Sequence, residues 1–322
     1  MLFCDCCSQH KSEELTEATL RLVLVCSTKC EQNRVALIQN AVLANLVDCM
    51  TSAVLVIRVC KVWIALVQDD DVRVPFGKAH ENAREIVENY GALKVLTKCL
   101  ETHASDCKVL EECLNGLRSL AVRNEYCQEV VDQGGLKFLQ QILVTYPEVA
   151  EVVSRSLQVV KALAGNDKVK TEAGREGIVP LIVTAMDRHV NRPGLVEAGC
   201  GALTALTLRQ EDNSKQVVAD CDGAVILTLV MDKHPANRRV QSGAAAAIRN
   251  IVSRNKELCP AFIERDVEKL LNSAIELHGD QIGDTLRSAK RDLGLKVDLV
   301  ESWTGEKIRI KEDFRETEEI NQ

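Results

Sequence analysis

The sequence predicts an all-α solenoid, in which short helices stack side by side without one central core. Three observations predict it. Apolar residues recur at helical spacing, most clearly at Val149, Val152, Val153, Leu157, Val160 and Leu163. An i, i+3, i+4 pattern puts such residues on one face of a helix, and Glu151, Arg155, Gln158 and Lys161 fall outside that stripe. The same turn and helix pair then recurs from end to end. Finally, aromatics are only 3% of the chain, so its core must be built from aliphatic ridges. Alternating strand patterns and Asn-Gly hairpin signals are scarce, which predicts almost no β structure.

The clearest unit runs from Gly134-Gly135 to Gly165-Asn166. Glycine permits backbone angles that a side chain forbids, so Gly134-Gly135 allows a sharp entry into a helix over Leu136–Thr145. Pro147 breaks that helix, and a second runs from Val149 to Ala164. Two short helices cannot bury their apolar faces alone, so they must stack on neighbours. The equivalent turns are Asn40-Ala41, Tyr90-Gly91, Gly134-Gly135, Glu176-Gly177, Asp222-Gly223 and Arg265-Asp266. Taking the second residue of each pair, the steps are 50, 44, 42, 46 and 43 residues.

In chain order, Cys4, Cys6, Cys7 and His10 are soft-metal candidates. Structural zinc sites space their paired cysteines by two to four residues, so a frayed or truncated repeat is the better reading. Leu15–Cys26 is predicted as the last helix of a unit whose earlier helices are missing, which makes residues 1–28 a partial repeat. Helices follow at Asn33–Gln39, Ala41–Met50 and Ala53–Val67, within a solenoid predicted over residues 29–293. Residues 69–80 are an insertion, with Asp69-Asp70-Asp71 ahead of Val74-Pro75-Phe76-Gly77. That insertion lacks the spacing, central Gly and terminal Glu of a calcium loop, so its charge run is expected to stay in water. Second helices end alike at His189, His234 and His278, and His103 follows a similar end. Cationic residues there complement the helix dipole, which favours capping over metal ligation. The last unit closes with a helix over Gln281–Leu293. Residues 294–322 are expected to hold a capping stretch, Leu295–Gly305, and a charged, disordered tail from Gly305 onward, where Lys, Arg, Asp and Glu take ten of 18 positions.

Length and charge bound the function. An ordinary chain of 322 residues suggests two or three domains, but a solenoid grows without enlarging a core. A net charge of -7 argues against a general nucleic-acid binder, without excluding a local basic groove. The 14 Cys fall in predicted helix interiors (Cys49, Cys60, Cys99, Cys113, Cys200), where a free thiol acts as a small hydrophobe. With no signal peptide recognised, they point to a reducing compartment. The longest apolar runs, such as Ala53–Ile57, are too short to cross a bilayer. No Gly-x-Ser-x-Gly elbow, Walker loop or His-Glu-x-x-His is present. Gly199-Cys200-Gly201 lacks the third glycine of a dinucleotide fingerprint. The chain is therefore read as non-enzymatic, with no cofactor and no metal.

A period in the low forties fits armadillo or HEAT units. The three-helix unit, with a short first helix, a second opening at Gly-Gly-hydrophobic and a long third, resembles the armadillo repeat over roughly residues 15–293. Residues 69–80 and the ending Leu299–Gly305 narrow the resemblance to one member type, in which a substantial segment precedes the repeats. The resemblance implies a right-handed solenoid of about six units whose third helices line a concave groove for extended peptides. Importin-type members carry a Trp four residues before an Asn on those helices. The matching pairs here are Lys61/Ala65, Asn115/Ser119, Gln158/Ala162, Gly201/Ala205, Ala246/Asn250 and Ser288/Asp292. The Trp is absent throughout, the Asn survives only at Asn250, and Trp63 is out of register, so an import receptor loses its main support.

In that register Arg58, Lys61, Asn115, Arg118, Arg155, Gln158 and Lys161 form a polar, mostly basic half of the groove. Gly201, Ala205, Gly243 and Ala246 form a flat strip flanked by Arg239, Arg249 and Asn250. Small residues admit a partner backbone, and Arg holds carboxylates in a fork. The expected partner is a protein or peptide with an acidic or mixed extended segment, the alternative being plain solvated faces. The leading function is a non-catalytic scaffold inside the cell, cytoplasmic with the nucleus open as a second location. The runner-up is a transport-factor or nucleic-acid adaptor using the basic half. Self-association through the open N-terminal end is a third possibility, with the oligomeric state left open.

Overall fold

The computed structural model describes residues 12–39 and 46–297. The Cys4/Cys6/Cys7/His10 group, the Asn40-Ala41 turn, Leu299–Gly305 and the charged tail lie outside the described residues. All regular structure among the described residues is helical. In chain order the α-helices are α1 Glu13–Ser27, α2 Glu31–Gln39, α3 Ala53–Leu66, α4 Ala79–Glu88, α5 Ala92–Thr102, α6 Cys107–Leu120, α7 Asn124–Asp132, α8 Gly135–Thr145 and α9 Ala150–Leu163. They continue with α10 Asp167–Arg175, α11 Ile178–Arg188, α12 Pro193–Thr207, α13 Glu211–Lys215, α14 Gly223–Lys233, α15 Arg238–Arg254, α16 Cys259–Ile263 and α17 Val267–Asp292.

Two rows of helices run the length of the stack. The third helices α1, α3, α6, α9, α12, α15 and α17 pack each on the next. The second helices α5, α8, α11, α14 and the start of α17 form the other row. The apolar stripe of α9 is buried between them, with Val152, Val153, Leu157, Val159, Val160 and Leu163 all in the core. Burying such side chains stabilises by roughly 1.5–3 kcal/mol each, an upper figure set by an extended reference chain.

The turn before each second helix holds one left-handed residue, at Gly91, Gly134, Gly177, Asp222 and Asp266. Those positions step by 43, 43, 45 and 44 residues, more evenly than the second-residue reading suggests. Gly134 and Asp222, the first residues of their pairs, take the positive φ, while Gly135 and Gly223 open their helices. Gly135 is required for a different reason: a Cβ there would stand 2.6 Å from the Val130 carbonyl oxygen. The unit with the 45-residue step contains a π-helical segment, Gln216–Asp220, whose wider turn takes up surplus chain.

Three predicted elements differ. Leu46–Cys49 form turns, so the described part of Ala41–Met50 is not helical, and Cys49 lies outside any helix. α17 runs 26 residues without the break expected at His278. In two other units a proline follows the equivalent position, as Pro147 follows Tyr146 and Pro235 follows His234, and removes the donor that would continue the helix; at His103 and His189 the helices end without one. Gly279 keeps its N–H, which permits the helix to continue, as it does here. Finally, α4 begins at Ala79 and takes the last two residues of the predicted insertion.

The histidines at the second-helix ends reach across to the preceding unit rather than only facing their own dipole. His189 Nε2 lies 2.7 Å from Pro147 O, His234 Nε2 2.6 Å from Val190 O and His278 Nε2 2.8 Å from Pro235 O. A carbonyl can only accept, so each Nε2 carries the proton. Tyr146 does the same one unit earlier, donating to Ala104 O at 2.7 Å.

Candidate functional site

The candidate site is the row of third helices. Their apolar stripes face the second row, which leaves polar positions on the opposite face. Arg58 and Lys61 stand on α3, Asn115 and Arg118 on α6, Arg155, Gln158 and Lys161 on α9, and Arg239, Arg249 and Asn250 on α15. All are half-buried or exposed.

The structure corrects the charge expected of this surface. Each junction between third helices carries an ion pair. Glu17 on α1 faces Arg58 at 3.0 Å, and Lys61 faces Glu112 on α6 at 3.1 Å. Glu111 on α6 faces Arg155 at 3.5 Å, and Glu151 on α9 faces Arg192 at 3.6 Å. Glu197 on α12 faces Arg239 at 3.9 Å, and Asp292 on α17 faces Arg249 at 3.4 Å. The hydrogen bond from Arg58, with a second from Arg21, holds the Glu17 carboxyl below the usual range. The half expected to be mostly basic is therefore largely neutralised from within. Sequence reading missed these carboxylates because their partners lie one unit away, and nothing local distinguishes Glu111 or Glu197 from any solvated helix residue.

Two predicted cations escape this matching. Among the described residues Arg118 meets no carboxylate and donates instead to Gln158 Oε1 at 2.8 Å. The same oxygen accepts from Arg155 at 3.3 Å, so one neutral amide stands between two guanidiniums. Lys161, one turn further along α9, is exposed and lies over Gly201, where a Cβ would come within 3.0 Å of its Cδ. Gly201 thus makes room for the lysine stem rather than leaving a bare strip. The surviving asparagine is engaged within the chain: Asn250 Nδ2 donates to Thr204 O at 2.8 Å, bridging α15 to α12. Trp63 is fully buried in the core.

A cleft of about 390 Å³ opens between α1, α3 and α6, floored by Leu24, Ile64 and Ala65 and walled by Asn115, Arg118 and Ser119. A second, of about 340 Å³, lies between α9, α12, α15 and α17 beside Lys161, Gly201 and Gly243. Neither gathers groups with the character of a nucleophile and its base. Burial pushes the Cys200 thiol up to about 12 and the Cys127 thiol up to about 11, which holds these two protonated. Cys60 and Cys113, both buried, approach to 3.9 Å between α3 and α6.

The comparisons with known proteins fit this geometry. The sequence pattern of the ARMC6 family matches residues 2–311. The chain belongs to the ARMC6 family. Armadillo repeat-containing protein 6 of Homo sapiens and of Pongo abelii are each 38% identical over 214 residues, 63% of this chain and 43% of theirs. The Drosophila melanogaster homologue is 34% identical over 206 residues, 63% of this chain and 44% of its own. The chain thus spans less than half the length of these relatives. Among solved structures, an engineered protein aligns with a TM-score of 0.75 at 19% identity, covering 89% of this chain and 66% of that one. A designed armadillo repeat protein in complex with the peptide (KR)4 aligns at 0.65 and 18%, covering 78% and 98%. A chain from a study of the interaction between cadherin and β-catenin aligns at 0.69 and 15%, covering 88% and 54%. The architecture is an armadillo solenoid, a scaffold fold suited to protein binding. No helix among the described residues is long and apolar enough to cross a membrane.

Proposed function

We infer that this chain is a non-catalytic scaffold inside the cell whose third-helix groove receives an extended protein segment bearing carboxylates. The observation that carries the reading is the exception to the ion-pair ladder. Every junction matches a cation to a carboxylate, yet Arg118 and Lys161 have none among the described residues. A guanidinium that meets only an amide keeps its capacity for a forked carboxylate, and a charge-assisted pair of that kind is about twice as strong as a neutral hydrogen bond. Neighbouring clefts beside Arg118 and Lys161 offer room for ligand side chains. The neutralised remainder of the groove speaks against a phosphate backbone, which needs a continuous basic track.

The test is fluorescence titration of the whole chain with three extended octapeptides: alternating Asp-Glu, alternating Ser-Thr and alternating Lys-Arg. The acidic peptide should bind tightest and weaken by about tenfold or more in an Arg118→Glu/Lys161→Glu variant of unchanged helicity. Equal or tighter binding of the Lys-Arg peptide would sink the reading. Single-stranded DNA serves as the adaptor control: tight binding that falls steeply on a log–log salt plot would favour the nucleic-acid alternative.

A further inference from the structure

We propose that the cleft between α1, α3 and α6 is an anchor pocket of the groove, taking one large apolar side chain of the partner segment beside a carboxylate held by Arg118. This rests on the groove reading above and names the kind of segment the groove selects.

The first observation is a break in the row of third helices. The position just before the second member of each matched pair holds Ile64 on α3, Arg118 on α6, Lys161 on α9, Thr204 on α12, Arg249 on α15 and Arg291 on α17. Of these six, only α3 presents an apolar residue. Among the described residues Ile64 is half-buried yet stands outside the hydrophobic core. Leu24 on α1 is half-buried too, and with Ala65 the three floor the cleft. The groove therefore offers aliphatic surface at this end and unmatched cations in the next two units.

The second observation is how the charges lining the cleft are spent. Arg34 and Asp70 line one end and pair with each other, and Arg34 also holds Glu31 at 3.1 Å. Asp70, expected to stay in water, is thus engaged inside the protein. Lys61 and Glu112 line a side and pair at 3.1 Å. That leaves Arg118 as the one lining charge without a carboxylate among the described residues. An apolar floor, two satisfied ion pairs and one unmatched guanidinium suit an apolar side chain with a carboxylate close by. A wholly apolar ligand would cover Arg118 without pairing it, and a wholly acidic one would set charge against Leu24 and Ile64; both are costly.

Size and spacing agree. The volume of about 390 Å³ lies within the range of ligand sites and admits a phenyl ring. Arg118 and Lys161 hold the same position on neighbouring third helices, whose axes pack roughly 8–10 Å apart. An extended chain advances about 3.3 Å per residue, so a second carboxylate belongs about three residues beyond the first. The selected segment reads as a large apolar residue, a carboxylate within one or two positions, and another about three further on.

The test titrates the whole chain with three labelled peptides: the alternating Asp-Glu octapeptide, and the same peptide with Phe added at its N-terminal or at its C-terminal end. The two orders cover both directions of binding. Two variants probe the cleft: Ile64→Gln removes its apolar floor, and Ser119→Trp fills it. Because Ile64 stands outside the core, Ile64→Gln should keep the wild-type helicity and Tm. One Phe peptide should bind about tenfold or more tighter than the wholly acidic one. That gain should shrink below twofold in both variants, while the wholly acidic peptide shifts less than twofold in Ile64→Gln. Arg118→Glu should weaken the acidic and Phe peptides alike. If none of the three binds, the groove reading falls and this inference with it. If the acidic peptide binds but Phe adds less than twofold, or the gain survives Ile64→Gln, this inference alone is overturned. Dodecanoate that displaces the Phe peptide at equal concentration would assign the cleft to a small carboxylate. A concentration-dependent dimer lost in Ile64→Gln would assign it to a second copy. Both would overturn the proposal.

Discussion

The stretch from Lys29 to Lys78 and the stretch from Asn124 to Thr207 do the same job with a different balance of chemistry. Both join one unit to the next. The second does it mainly with aliphatic faces and neutral hydrogen bonds one unit apart, such as His189 to Pro147 O and Tyr146 to Ala104 O, supplemented by part-exposed ion pairs such as Arg155 to Glu111 and by the buried Lys170, which holds Asp167 and Leu208 O. The first does it with buried charge, a fully enclosed Arg34 surrounded by Glu31, Asp70 and two backbone carbonyls. The difference teaches where periodicity can serve as glue. When units are evenly spaced, the same position always faces the same carbonyl. A loop inserted between α3 and α4 breaks that register, and the polar ends it brings inward must then be satisfied by ions specific to that place.

The sharpest way to break the comparison is Arg34→Met. Removing one partner of a buried pair leaves Glu31 uncompensated, so the loss should be about 3–5 kcal/mol. Urea unfolding should register it, with hydrogen exchange rising first over residues 29–80; a loss spread evenly along the solenoid would count against a local network. Gly135→Ala tests the regular region: overpacking against Val130 should cost about 1–3 kcal/mol of stability. An unchanged Tm would mean that the turn relaxes more easily than its geometry indicates. His189→Phe keeps the ring volume and removes the donor to Pro147 O, so about 1 kcal/mol is expected from the same denaturation assay.

The smallest and most discriminating change is Asp71→Asn followed against pH. Hydrogen bonds from Arg73, then from the Glu31 N–H, hold the Asp71 carboxyl well below the usual carboxylate range. A folded-state value lower than the unfolded one stabilises fully above the unfolded value, near 3.9, and the stability is lost as pH falls toward the folded value. Wild type should therefore exceed Asp71→Asn at pH 7, and the gap should narrow below about pH 4. A gap that widens on acidification would contradict the assignment.

Much of the fold was legible because it is periodic. Buried stripes such as Val152, Val153, Leu157 and Val160 repeat at helical spacing, and left-handed turns recur where Gly91, Gly134 and Gly177 can adopt them. Asp222 and Asp266 take the same conformation without glycine, so residue type alone gave the register only to within one position. The site was legible in placement and not in charge. All ten candidate residues lie on third helices, but whether Arg155 is free or matched depends on Glu111, 44 positions earlier, at 3.5 Å.

The sequence by itself determined that this chain is a helical solenoid, because apolar spacing and turn chemistry are local and repeated. Only the tertiary structure decided which charges are spent. Ion pairs across neighbouring helices and the Arg34 network depend on which side chains meet across a unit or more of chain, and no local pattern carries that information.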